Sequence, residues 1–185
     1  MRSHVGPIAA IMVWATGAAC GQAPDATDTG TDDVVDTSDQ AGEWPSEWVA
    51  YEDEVLRLVN LNRSVQQVCG GSARAATGQL TFNAQLRDAA RTHSRDMAER
   101  GFFDHRSPWG DQPSDRALDA GYPTPYVGEN IAAGQSTPDA VMDSWMRSPG
   151  HCNNITEGSY VALGVGLYVS DEGQPYWTQV FGTVP

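Results

Sequence analysis

Lysine is missing altogether from this 185-residue chain, and all eleven basic residues are Arg. They face 24 acidic residues, which leaves a formal net charge of −13. A chain so poor in cations cannot displace phosphate counterions as nucleic-acid binding requires. It also has no polybasic patch to hold an anionic bilayer. Long apolar runs are missing too: Val5–Ala19 is apolar or small almost throughout, but its fifteen residues fall short of the ~20 that cross a bilayer. There is no H-E-x-x-H, which excludes a helix-borne zincin site. Ser72, in Gly70-Gly71-Ser72-Ala73-Arg74, lacks the final Gly of a nucleophile elbow. Gly164-Val165-Gly166 has no third Gly and sits in a strand-like run, so it is no dinucleotide fingerprint.

What is present divides unevenly. Met1-Arg2-Ser3-His4 is mildly basic, Val5–Ala19 is apolar, and the run ends in small residues, the pattern of a secretory signal over residues 1–19. Gly17-Ala18-Ala19-Cys20 resembles a bacterial lipobox, which implies lipidation of Cys20 and anchorage by acyl chains. Gly17 stands where Leu or Val is usual, so cleavage beside a plain Ala-Ala site is the alternative. Residues 21–43 hold seven acids and no base, and their low hydrophobicity predicts a disordered, self-repelling tether. The Asp spacing there lacks the calcium-loop pattern. From Trp44 onward, 17 acids and ten Arg leave −7, so about half of the net negative charge belongs to the tether.

Residues 44–185 are long enough for one core. With Cys20 assigned, Cys69 and Cys152 form an even remainder, which in an exported protein suggests one disulfide; two buried free thiols are the alternative. Ser46 to about Gln67 reads as a first helix with Ser46 as N-cap, stopped by Gly70-Gly71. Asn83 caps a second helix through about Arg100, closed by Gly101. His93 falls on its apolar stripe, as a core histidine or a site residue. Phe102 to Tyr126 reads mostly as loop, with a helical turn around Ser114–Ala120. Thr137-Pro138-Asp139 starts a helix that Ser148-Pro149-Gly150 ends. Tyr160–Val169 and Tyr176–Phe181 read as a hairpin, and helices before strands give an α+β domain.

The residues that carry chemistry are His105 in Phe102-Phe103-Asp104-His105, Glu129 in Gly128-Glu129-Asn130, and His151 in Pro149-Gly150-His151-Cys152. All three are expected in loops or beside helix ends. Two imidazoles and a carboxylate suit Zn²⁺ with an open position, or a general acid–base set; a hydrogen-bonded pair bracing the loops is the structural alternative. Six blocks occur in order: Leu58-Val59-Asn60-Leu61-Asn62-Arg63, Leu80-Thr81-Phe82-Asn83, Phe103-Asp104-His105, Gly128-Glu129-Asn130-Ile131-Ala132, Trp145-Met146-Arg147-Ser148-Pro149-Gly150-His151 and Trp177-Thr178-Gln179-Val180-Phe181-Gly182. Together they resemble the bacterial branch of the CAP superfamily, whose SCP-like domain is shared with cysteine-rich secretory proteins, antigen 5 and plant pathogenesis-related proteins. The resemblance covers roughly Tyr51–Phe181.

That resemblance implies a three-layer α-β-α sandwich with a cleft of two His and two Glu, which in some members binds Zn²⁺. His105 and Glu129 match the first His and first Glu. Ser148 stands where eukaryotic members carry the other Glu, and Trp177 where they carry the last His, so the expected metal set is His105, Glu129 and His151. Ser148, Trp177 and His93 are expected around the cleft. A Cys69–Cys152 bridge would tie the end of the first helix to the segment carrying His151. The leading expectation is a monomeric, lipid-anchored binding module at the cell envelope (outer membrane or periplasmic face) or outside it, with a lipid, small molecule or protein as ligand. A zinc-assisted hydrolase and an inert structural or adhesive module are the alternatives.

Overall fold

The computed structural model describes residues 44–183. The signal, Cys20 and the whole acidic tether expected above lie outside those residues. In chain order the elements are α1 (Ser46–Arg63), β1 (Gln67–Cys69), β2 (Ser72–Arg74), β3 (Thr81–Phe82), α2 (Ala84–Arg100), α3 (Pro113–Asp119), β4 (Val127–Ala133), α4 (Pro138–Arg147), α5 (Pro149–Ile155), β5 (Tyr160–Val169) and β6 (Pro175–Thr183). Among the described residues no helix is long and apolar enough to cross a membrane.

Local chemistry explains most of these boundaries. Asn83 accepts a hydrogen bond from the Leu86 N–H, and Gly101 closes α2 in the left-handed region. The Thr137 hydroxyl accepts from the Ala140 N–H, and Pro138 opens α4. The first helix is shorter than expected. It begins at Ser46 with Pro45 as N-cap and stops at Arg63. Gly70 and Gly71, both at positive φ, do not cap it but turn the β1–β2 hairpin, pairing Gln67 with Arg74.

A four-stranded sheet, in the order β3-β5-β6-β4, forms the middle layer. β3 runs parallel to β5, and β5–β6 and β6–β4 are antiparallel. On one face Val55, Leu58 and Val59 of α1, Val141, Met142 and Trp145 of α4 and Ile155 of α5 pack against Leu163, Val165, Leu167, Trp177 and Phe181. On the other, Leu86 and Ala90 of α2 and Ala117 of α3 meet Ala162 and Val180. This is the expected α-β-α sandwich within the α+β class. The Gly164-Val165-Gly166 run now has its reason. A Cβ on either glycine would strike the backbone of α2 at Leu86–Arg87 or Ala90–Arg91, so the glycines let the helix lie close on the sheet.

Cys69 and Cys152 are joined in a disulfide with Cα atoms 5.5 Å apart. The bridge fastens the β1 end of the hairpin to α5, and Gly70 lies against Pro149 beside it. Arg63, the last residue of α1, is fully buried without a carboxylate. Its guanidinium donates to the carbonyls of Gly78, Ile155 and Glu157, at 2.7, 2.8 and 2.8 Å. It thus stitches α1 to the segment that leads into β5.

Candidate functional site

Glu129 is not in a loop, as expected, but is the third residue of the edge strand β4, directly opposite Val180. Opposed residues of an antiparallel pair share a face, and Val180 belongs to the α2–α3 layer. Glu129 therefore points under α2 and α3, and Asn130 points to the other face. The Glu129 side chain is 1% exposed.

Three side chains meet at or beside this carboxylate, and a fourth, Asn154, holds the Glu129 backbone. His105, in the loop after α2, donates from Nδ1 to Glu129 Oε1 at 2.8 Å, and its own side chain remains 49% exposed. Arg116 of α3, 6% exposed, donates from Nη2 to Glu129 Oε2 at 2.7 Å. The same nitrogen reaches the His105 carbonyl at 3.0 Å, and Nη1 reaches the Asp111 carbonyl at 3.2 Å. His93, fully buried on α2, donates from Nε2 to the Asp104 carbonyl at 3.0 Å and stands 3.7 Å from Glu129 Oε1. Asn154 of α5 donates to the Glu129 carbonyl at 3.1 Å and to Asn130 Oδ1 at 2.9 Å. The loop on either side of His105 is thus pinned to α2 through Asp104 and to α3 through the His105 carbonyl. An ionised carboxylate only accepts, so Nδ1 of His105 carries the proton and Nε2 is the edge turned to solvent.

Beside His105, Phe102, Asp104, Arg106 and Trp109 line a groove of about 400 Å³. Trp109 is half exposed and stacks under the Arg100 guanidinium.

Three imidazoles respond differently to this arrangement. The hydrogen bond that His105 donates to Glu129 raises the His105 pKa above its ordinary 6.5. Burial lowers that of His93 to about 4 against the pull of Glu129. Burial, followed by the neighbouring His105, lowers that of His151. A histidine-selective NMR titration is therefore expected to show His105 titrating above 6.5, His151 below it and His93 near 4. His105 should move down in Glu129→Gln; a His105 midpoint unchanged by that substitution would contradict the assignment. Between pH 6.5 and about 4 the unfolded chain binds a proton at His93 that the folded chain does not, so His93 costs stability as the pH falls. His105 acts in the opposite sense: its contribution is complete below 6.5 and is lost as the pH rises through its raised folded value.

The sequence expectations separate at this point. His105 and Glu129 are brought together, and His93 is a core histidine whose hydrogen bond to the Asp104 carbonyl braces the loop beside them. His151 sits on the short helix α5, where its carbonyl accepts from Asn130 Nδ2 at 3.3 Å. Trp177 is a core residue on the opposite face of the sheet, stacked on Tyr51 and donating to the Gln135 carbonyl. Ser148 is the junction between α4 and α5. Neither makes a hydrogen bond to His105 or Glu129.

The donor set does not fit a zinc ion as expected. Both oxygens of Glu129 are engaged, one of them by a guanidinium, and what remains is two imidazoles, short of the three protein ligands of an open zinc site. Among the described residues no three His, Cys, Asp or Glu side chains are grouped to hold a metal. Arg116 was not singled out in the sequence, where it sits between Asp115 and Asp119 like a solvated surface charge. The one signal was its place on the same turn as Ala117, which is buried.

Comparison with known proteins bears on the whole folded part. The model of the CAP family, described as the cysteine-rich secretory protein family, matches residues 56–181. The chain is 38% identical over 137 residues to the uncharacterised protein YkwD of Bacillus subtilis (strain 168), covering 74% of this chain and 49% of that one. It is 27% identical over 138 residues to the uncharacterised membrane protein YlbC of the same organism, covering 75% and 36%. It thus spans half or less of the length of these curated relatives. Among solved structures, an extracellular protein containing an SCP domain from Bacillus anthracis superposes with a TM-score of 0.64 at 28% identity, covering 77% of this chain and 45% of that one. An outer surface protein from Borrelia burgdorferi shares the fold, with a TM-score of 0.60 at 16% identity over 78% of this chain and 97% of that one. With two independent layers of helix on one sheet, the six ordered blocks and the family match in agreement, the chain belongs to the cysteine-rich secretory protein (CAP) family.

Proposed function

We propose that this chain is an exported, monomeric binding module. A signal over residues 1–19, a lipid anchor on Cys20 and an acidic tether through residue 43 would hold a CAP domain (44–185) at the cell envelope, where it engages its ligand around His105. The observation that carries the reading is the half-exposed His105 ring, fixed from behind by the buried Glu129–Arg116 pair. A ring so held has one free edge, Nε2, and its chain neighbours Asp104 and Arg106 help line an aromatic groove, the make-up of a recognition site with a few placed polar groups. Among the described residues no Ser, Thr or Cys side chain hydrogen-bonds this ring, so no side-chain nucleophile is paired with it. A metal-assisted hydrolase built on His105, Glu129 and His151 loses support for a different reason: each Glu129 oxygen already accepts a hydrogen bond, one of them from the Arg116 guanidinium, whose charge a metal would have to displace. Export is supported by the disulfide, which needs an oxidising compartment. It is supported too by the likeness to an extracellular protein and to an outer surface protein.

Two experiments test this. Labelled palmitate is expected to enter the full chain and to be lost in Cys20→Ser; incorporation unchanged in that variant overturns the anchor. Envelope lipids and proteins captured by the full chain should fall at least about tenfold in His105→Ala, a loss of ~1.4 kcal/mol in binding. Equal capture by both overturns the site.

A further inference from the structure

We propose that Arg116 is the resident cation of this site, pairing with Glu129 in place of a divalent metal and holding His105 in place. It rests on the same Glu129–Arg116 pair as the reading above but holds whatever the domain binds.

Three observations carry it. The first is occupancy: Nη2 of Arg116 lies 2.7 Å from Glu129 Oε2, the oxygen that His105 leaves free. The second is reach. One guanidinium spans the carboxylate on β4, the His105 carbonyl and the Asp111 carbonyl, so it ties α3, the loop and the edge strand together. A planar fork with five donors does this; a lysine ammonium, a point charge on a flexible stem, does not reproduce it. The third is charge. Glu129 is the carboxylate that would draw a dication to the imidazoles, and its charge is already matched inside the protein. Glu129 is left to orient His105 rather than to ligate.

The short helix α3 is built to deliver this side chain. Pro113 opens it, and the Asp115 carboxylate caps it by accepting from the Gln112 N–H. Ala117, buried against α2, turns the neighbouring Arg116 toward β4. Arg116 is therefore a positioning residue.

The test is calorimetric titration of zinc chloride into the chelator-stripped full chain, with His105 followed by NMR. The wild type is expected to show no stoichiometric zinc binding at micromolar metal. Arg116→Gln, which leaves the Glu129 charge unmatched, should bind zinc at least about tenfold more tightly than the wild type. Arg116→Lys keeps a charge but loses the fork; it should still refuse zinc, and its His105 signals should move. Tight 1:1 zinc in the wild type, lost in Glu129→Gln, overturns the proposal. So does a folded Arg116→Gln whose zinc affinity matches the wild type. Should Arg116→Gln fail to fold, the wild-type titration and Arg116→Lys decide: zinc bound by either, or unshifted His105 signals in Arg116→Lys, overturns it.

Discussion

Arg116→Met is expected to destabilise the domain by about 3–5 kcal/mol, the cost of breaking a buried ion pair from one side. Glu129 is 1% exposed, so its charge has no solvent to turn to once the guanidinium is gone. Two carbonyls, of His105 and Asp111, lose their donor at the same time. The companion variant separates charge from packing. Arg116→Met combined with Glu129→Gln removes the charge on both sides, so the pair should lose less than the two single losses added, by roughly 1–3 kcal/mol. Urea unfolding reads this as a shift in midpoint at constant slope. A loss below about 1 kcal/mol in Arg116→Met, typical of a surface pair, would contradict the burial argument.

Removing the disulfide is expected to cost a similar amount by a different route. Cys69 and Cys152 close a loop of 83 residues, worth roughly 4–5 kcal/mol in the chain-entropy account. For a domain of this length that is roughly 10–20 °C in Tm. The effect should also reach the site, because Cys152 lies on α5 two residues before Asn154. Asn154 holds both the Glu129 carbonyl and the Asn130 side chain. Melting curves with and without reductant, and for Cys69→Ser with Cys152→Ser, check the first part; loss of the upshifted His105 titration in the reduced protein checks the second. A reduced protein with unchanged Tm would show that the bridge constrains little.

Elements whose ends carry their own chemistry were legible in the sequence. Asn83 and Gly101 bound α2, Thr137-Pro138 opens α4, and the β-branched and aromatic runs are β5 and β6. The site itself was half legible. His105 and Glu129 were identified, but Val127–Ala133 carries Gly, Glu and Asn in its middle and does not read as a strand. It becomes one because β6 offers it a full register of partners, and its polar residues are spent on the site. The helix α5, Pro-Gly-His-Cys-Asn-Asn-Ile, has poor intrinsic propensity; the disulfide and the asparagine contacts hold it. Trp177 was expected near the cleft, but strand alternation sends it to the other core. Arg63 and Arg116 were illegible as buried charges because their partners are backbone carbonyls or residues well along the chain. Sequence spacing carries no trace of such pairings.

The central claim is that a protein cation and an imidazole, rather than a metal, complete Glu129. The most direct measurement is a crystal structure of the protein grown with zinc in excess. The account predicts Arg116 Nη2 and His105 Nδ1 on the two Glu129 oxygens, near the 2.7 and 2.8 Å seen here. Zinc density on Glu129, with the Arg116 guanidinium swung away, would contradict it.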